Sequence, residues 1–394
     1  MVHVIAGTAV GGDSVQAEAE AGDLWFLSLV ASITTVVVFF AAANILMGRN
    51  GIPLGGDATG NWIPQIKHAL AVGPLQYAES QHYVEVLYPI IGSYAVHLGV
   101  TADQFEIYAP VVMAVASVGG TAYLAREFVD QRVGVLSVAF AAGWFTIYRM
   151  GADYHGQFFA FCLLLPATGL LVRFSRTKRL PRDLTLFAIL VVLATFAHVE
   201  TTAVFVAIWV LTFAIFGVGK AKGTKRLLLM VGLSLVIAVP VLYEVVPTLF
   251  SLYGINSTKL PYPELPTFWL QVLGPEVILV FLGLAVSVYE LRKPGCDLLT
   301  KLVLVWTVFS FVVLSGWYVF QSVNLTISDR TFLMLPVPFL SAKATVWLGD
   351  RGGVFARYNN LLVILILLIP ALTAPAIFAY LVPERFRYYP AYQT

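Results

Sequence analysis

Charge is what this chain has least of. Only 12% of its 394 residues are charged, 24 Lys and Arg against 22 Asp and Glu, while 59% are hydrophobic. Soluble domains carry about 25% charge to cover their surface, so a soluble class is excluded. Cysteine is equally scarce. Cys162 sits in an apolar run and Cys296 in a polar loop, a placement that fits neither a disulfide framework nor a metal-ligand spacing. The sequence also lacks a phosphate-cradling GxxxxGK[ST], a GxGxxG after a strand, an HExxH and a GxSxG elbow. No apolar run carries a row of acids through its middle, which argues against a proton-coupled carrier. No repeat of fixed period, low-complexity tract, soluble domain or cleavable leader is evident, so the first apolar run is expected to remain as a span.

Long apolar runs fill the chain. They lie near 24–47, 107–125, 133–148, 157–172, 184–199, 201–217, 227–246, 276–291, 302–321, 331–348 and 359–382, each about the length that crosses a bilayer core. A further run, Val86 to Val100, is shorter and holds Pro89, Gly92 and Gly99; it reads as a juxtamembrane helix that does not cross. With the N-terminus inside, the loops 126–132, 173–183, 218–226, 292–301 and 349–358 become cytosolic and hold 16 of the 24 Lys and Arg. That bias obeys the positive-inside rule, and counting 86–100 as a span would reverse it. The expected fold is therefore an all-α polytopic membrane protein of about eleven transmembrane helices, within a range of ten to thirteen. Juxtamembrane helices are expected in its first external loop.

The rare polar groups gather on the predicted external face. The first loop holds Gly55-Gly56-Asp57 and then Lys67, His68, His82, Tyr83 and Glu85. The third and fourth spans are joined by Arg149-Met-Gly-Ala-Asp153-Tyr154-His155, and the fifth and sixth by His198-Val-Glu200. Asp329-Arg330 precedes the tenth span. Charge at a membrane boundary is costly, so these groups are candidate site residues. Each also has a plain structural reading. Asp57 can cap a short helix, and Asp153 and His155 can form a solvated turn with Arg149. His198 and Glu200 can satisfy turn backbone, and Arg330 can pair with Asp329 as an interfacial anchor. The boundary aromatics Trp62, Tyr83, Tyr88, Trp317, Tyr318, Tyr388 and Tyr389 read as a membrane belt.

The order of these features resembles the GT-C superfamily of membrane glycosyltransferases. An acidic residue opens the first external loop (Asp57) and Tyr88-Pro89 heads a juxtamembrane helix. The segment Thr121-Ala-Tyr-Leu-Ala-Arg-Glu-Phe128 is similar to the family's "YLLAREL-G-R" run, and Tyr148-Arg149 is followed by Asp153. His198 at a span end completes the likeness, which covers residues 24–230. It implies a conserved module over 24–230 that includes the external loop 48–106, and residues 1–23, rich in Gly, Ala and acids, read as a flexible N-terminus. Variable helices follow over 231–394, with an external loop at 247–275.

The resemblance implies an inverting glycosyltransferase. It would move a monosaccharide from a polyprenyl- or dolichyl-phosphate carrier to a hydroxyl of a lipid-linked glycan, lipid or protein. Asp57 matches the first-loop base and Asp153 the second acidic site. Arg149 and Arg330 would hold the departing phosphate, with Lys67 and His198 next in order. Glu85, Tyr88, His68, His155 and Glu200 would contact donor or acceptor. Asp57 lacks the second acid of the family's Asp-x-Asp pattern, so no metal is firmly assigned; the alternative is a divalent cation at Asp57, Asp153 and His155. The implied partners are the lipid-linked sugar, its acceptor and membrane lipids, with no nucleic acid. The implied place is a multi-pass membrane protein with its active site on the external face. The sequence shows no large soluble C-terminal domain, so a monosaccharide transferase is expected rather than an oligosaccharyltransferase. Three rivals are a glycan polymerase or ligase with a lipid-diphosphate donor, a transporter or flippase for a lipid-linked sugar, and a non-catalytic assembly subunit.

Overall fold

The structure, a computed structural model, describes residues 25–41, 58–82, 85–144, 147, 150–151, 155–176, 180–216, 232, 236, 276–320 and 336–351. The described residues are helical throughout, without strands. The helices are α1 (Trp25–Ala41), α2 (Ile63–Val72), α3 (Pro74–Ser80), α4 (Leu87–His97), α5 (Ala102–Ala125), α6 (Gln131–Gly143), α7 (His155–Arg176), α8 (Leu180–Ala197), α9 (Val199–Phe216), α10 (Val277–Leu291), α11 (Leu298–Phe320) and α12 (Val337–Asp350). A five-residue π turn, Ala58–Trp62, leads into α2.

Local sequence sets these ends. Thr101 and Gln104 form a reciprocal capping box that starts α5: the Gln104 N–H donates to the Thr101 hydroxyl and the Thr101 N–H to the Gln104 side chain. Asp130 caps α6 by accepting from the Arg132 N–H at 2.9 Å. Three stretches, Ala102–Ala125, His155–Phe174 and Val199–Phe216, are long and apolar enough to cross a membrane. Helix α4 has 11 residues, about 16 Å at 1.5 Å per residue and half a bilayer core, in line with a helix that does not cross. The expected run 133–148 is cut short, because α6 stops at Gly143 and Trp144 turns to extended backbone. The expected spans 227–246 and 359–382 lie outside the described helices.

Small residues let the helices approach. A methyl at Gly120 would touch Leu165 and Pro166 of α7, and one at Gly283 would collide with the Leu340 carbonyl of α12. Helix α1 is stitched to α6 by Ser28 and Ser32, whose hydroxyls donate to the carbonyls of Val135 and Val138. The Cys162 thiol of α7 donates to the Met113 carbonyl of α5, and Cys162 and Cys296 are both free. Aromatics fill the centre: Phe205 meets Trp306 edge-on at 5.0 Å, and Trp209 donates to the Thr168 hydroxyl.

The polar contacts separate to the two ends of the bundle. One end joins Arg132 to Asp130 and Asp350, Lys343 to Glu290, and the Arg126 guanidinium to the Trp25 ring. At the opposite end, the segment from the π turn to α4 folds over the starts of α5 and α7 and the end of α8.

Candidate active site

Two adjacent clusters build that second end. In the first, His155 opens α7 and is fully buried. Its Nε2 lies 2.8 Å from the Gly151 carbonyl, which only accepts, so Nε2 carries a proton. Its Nδ1 lies 2.8 Å from the Glu106 carboxylate of α5, which is also buried. The distance is short but the groups are not aligned as a hydrogen bond. The Trp62 indole stacks on the imidazole at 5.9 Å and 19°, and the Tyr88 ring lies 5.3 Å from the imidazole and edge-on to Trp62 at 5.2 Å. Burial, and then the Glu106 charge, push the Tyr88 phenol well above its usual range.

The second cluster pairs the first loop with the turn between α8 and α9. His198 Nδ1 accepts from the Thr201 N–H at 3.1 Å, capping α9. The proton is thereby placed on Nε2, which lies 2.9 Å from the Glu85 carboxylate. Glu85 reaches His198 from a left-handed backbone, φ +51°, a conformation that costs a non-glycine residue about 1 kcal/mol or more. Burial, and then the Glu85 charge, push the nearby Tyr77 phenol upward; its hydroxyl donates to Gln65, which in turn donates to Asn61.

Gly156 joins the two clusters. A methyl there would stand 3.1 Å from both the Trp62 ring and the Ala197 carbonyl, so the loop, α7 and the end of α8 meet without room for a side chain.

The structure thus brings Glu85, Tyr88, His155 and His198 to one end of the bundle. Glu200, in the first turn of α9, is at the same end and half-buried. Lys67 and His68 lie on the exposed side of α2, opposite Ile63, Ile66 and Ala69, with His68 edge-on to Tyr77. Asp57, Asp153, Arg149 and Arg330 lie outside the described residues. Trp62 and Tyr88, expected in a membrane belt, are instead walls of the His155 pocket, 4% and 2% exposed. Glu106 is the residue that sequence reasoning missed. Its one signal was an acid four residues into α5, at the mouth of an apolar run. Among the described residues, no three His, Cys, Asp or Glu side chains group as metal ligands. As placed, both His155 nitrogens face acceptors, and the ring would have to turn to ligate an ion.

No protein-family model matches the sequence, and no curated protein matches it. Solved structures do. The oligosaccharyltransferase of Archaeoglobus fulgidus in its apo form superposes with a TM-score of 0.60 at 14% identity, over 89% of this chain and 55% of that one. The same archaeal enzyme, AglB, in complex with an inhibitory peptide and a dolichol-phosphate, gives 0.61 at 11% identity, over 93% and 59%. ArnT from Cupriavidus metallidurans bound to undecaprenyl phosphate gives 0.51 at 16% identity, over 88% and 61%. This chain therefore spans just over half the length of these structures. Both proteins are GT-C enzymes, and the fold described here is the GT-C fold.

Proposed function

We propose that this chain is a membrane glycosyltransferase that takes a monosaccharide from a polyprenyl- or dolichyl-phosphate carrier. The observation that carries this reading is the GT-C fold, shared with structures holding dolichol-phosphate and undecaprenyl phosphate. In the proposed reaction an acceptor hydroxyl attacks the anomeric carbon. The new carbon–oxygen bond forms as the bond to the phosphate oxygen breaks, and the lipid phosphate leaves. Asp57 takes the hydroxyl proton as general base. Asp153, as second acid, stabilises the oxocarbenium-like transition state. Arg149 and Arg330 neutralise the departing phosphate. The acceptor is a hydroxyl of a lipid-linked glycan, a lipid or a protein on the external face of a multi-pass protein.

The described residues serve this chemistry as its frame. Trp62, Tyr88 and Glu106 fix His155 at the start of α7, close in sequence to Asp153. The pair of Glu85 and His198 fixes the far end of the loop that Asp57 opens. His198 is engaged on both nitrogens, so its part in the reaction is to hold this loop. The test is transfer of labelled sugar from a defined lipid-phosphate donor by the purified chain and its Asp57→Asn variant.

A further inference from the structure

We infer that Asn61, Gln65 and Tyr77 are positioning residues for the proposed base, acting through the π turn Ala58–Trp62 that begins at the residue after Asp57. The inference rests on the reading of Asp57 as base. π turns are rare and concentrate at functional sites. The backbone holds this one incompletely. Helix α2 starts without a side-chain cap, and Pro64 in its first turn has no N–H to complete the rung back to the Gly60 carbonyl.

A side-chain relay spans the missing rung. The Gln65 amide donates to the side-chain oxygen of Asn61 at 2.6 Å, and the Gln65 side-chain oxygen accepts from the Tyr77 hydroxyl at 2.7 Å. Tyr77 is a firm anchor, fully buried in a cluster with Ala69 and Val86 that packs against Phe196 of α8. Burial and the Glu85 charge keep its phenol protonated, so it remains a donor. The next residue of the turn, Trp62, is held separately by its stack on His155. Consecutive residues are thus fastened to different elements, Asn61 through Gln65 to α3 and Trp62 to α7. A double hold of this kind fixes the turn from which the chain continues to Asp57. Its value is kinetic, because a misplacement of about 1 Å in a reacting group costs about 100-fold in rate.

Two variants of the intact chain in nanodiscs provide the test. Tyr77→Phe keeps the ring and removes the hydroxyl, and Gln65→Leu keeps the bulk and removes both hydrogen bonds. Each is expected to lower kcat for transfer of labelled sugar by about 10–100-fold with donor KM unchanged. The double variant should fall no further than the single ones, as residues acting as one unit do. Hydrogen exchange of the peptide 58–66 should quicken in both, while α5 and α7 exchange as before. An unchanged kcat in both variants, a rise in donor KM alone, or faster exchange throughout the bundle overturns the inference. Asp57→Asn, assayed beside them, separates the two claims. Near-normal turnover by that variant removes the base itself, whereas an inactive Asp57→Asn with fully active Tyr77→Phe and Gln65→Leu removes only the relay. If one relay variant fails to fold, the other decides by the same two readouts.

Discussion

The Nε2 of His198, in the turn between α8 and α9, lies 2.9 Å from the carboxylate of Glu85 in the first loop. Through that contact the segment before α4 is tied to the turn between α8 and α9. The backbone strain at Glu85 is held in place by it, and the same imidazole caps α9 through Thr201.

Glu85 and His198 should therefore behave as one unit. Glu85→Gln and His198→Ala are each expected to lower stability by about 1–3 kcal/mol. The double variant should cost less than the two singles together, with a coupling of about 1–2 kcal/mol. A double-mutant cycle of thermal unfolding in detergent checks this, and strict additivity would show that the pair carries no coupling. Glu85→Gly relieves the left-handed backbone but removes the carboxylate, and should still be destabilising.

Much of this end of the molecule was legible in the sequence. The short run from Val86 announced α4 because its length, its one proline and its two glycines do not suit a span. His198 stood out because an ionisable group at a span boundary needs a partner. That its partner is Glu85 could not be read, since the two are joined only by the folding of the loop over α8. Trp62 and Tyr88 were misplaced for a related reason. Composition puts aromatics at a boundary, but only tertiary packing decides whether they face lipid or a buried histidine. Glu106 was hidden because one acid at the start of a helix also suits a solvated first turn.

Glu106 is fully buried between His155 and Tyr88, so its removal should be severe. Glu106→Ala removes the carboxylate that the buried His155 ring faces, a loss on the order of 3 kcal/mol. Glu106→Gln keeps the shape and should cost less than half of that. Equal unfolding temperatures for Glu106→Ala and the unaltered protein would remove Glu106 from the frame of the site.

At the opposite end, Lys343 is 5% exposed and depends on Glu290. Glu290→Gln strands a buried ammonium and should lower stability by about 2 kcal/mol, below the range for a fully buried pair because Glu290 is partly solvated. The double variant Lys343→Met with Glu290→Leu should return to within about 1 kcal/mol of the starting protein. The measurement is again thermal unfolding.

Gly283 faces the Leu340 carbonyl with no room for a methyl. Backbone cannot move aside as a side chain can, so Gly283→Ala should separate α10 from α12 and cost about 1–3 kcal/mol or more. Gly99, with nothing near its Cβ but a left-handed φ of +96°, should lose a smaller amount on the same change, for backbone reasons alone.

Tyr77 and Tyr88 set the alkaline limit. Their folded phenols lie above the usual value of about 10, so the folded state retains protons that the unfolded chain releases. Their contribution is complete below about pH 10 and falls as pH rises through that value toward the folded ones. Tyr77→Phe with Tyr88→Phe should flatten the loss of stability above pH 10, as followed by unfolding temperature against pH.

The central claim is sugar transfer from a lipid phosphate, with Asp57 as base. The most direct measurement incubates the purified chain in nanodiscs with a labelled polyprenyl- or dolichyl-phosphate sugar and a panel of lipid and glycan acceptors. The account predicts that label moves to an acceptor hydroxyl as lipid phosphate is released, and that Asp57→Asn abolishes this while still binding donor. Near-normal turnover by Asp57→Asn would contradict the base. Failure to move label from any donor, with donor crossing the bilayer of sealed vesicles instead, would contradict the transferase itself.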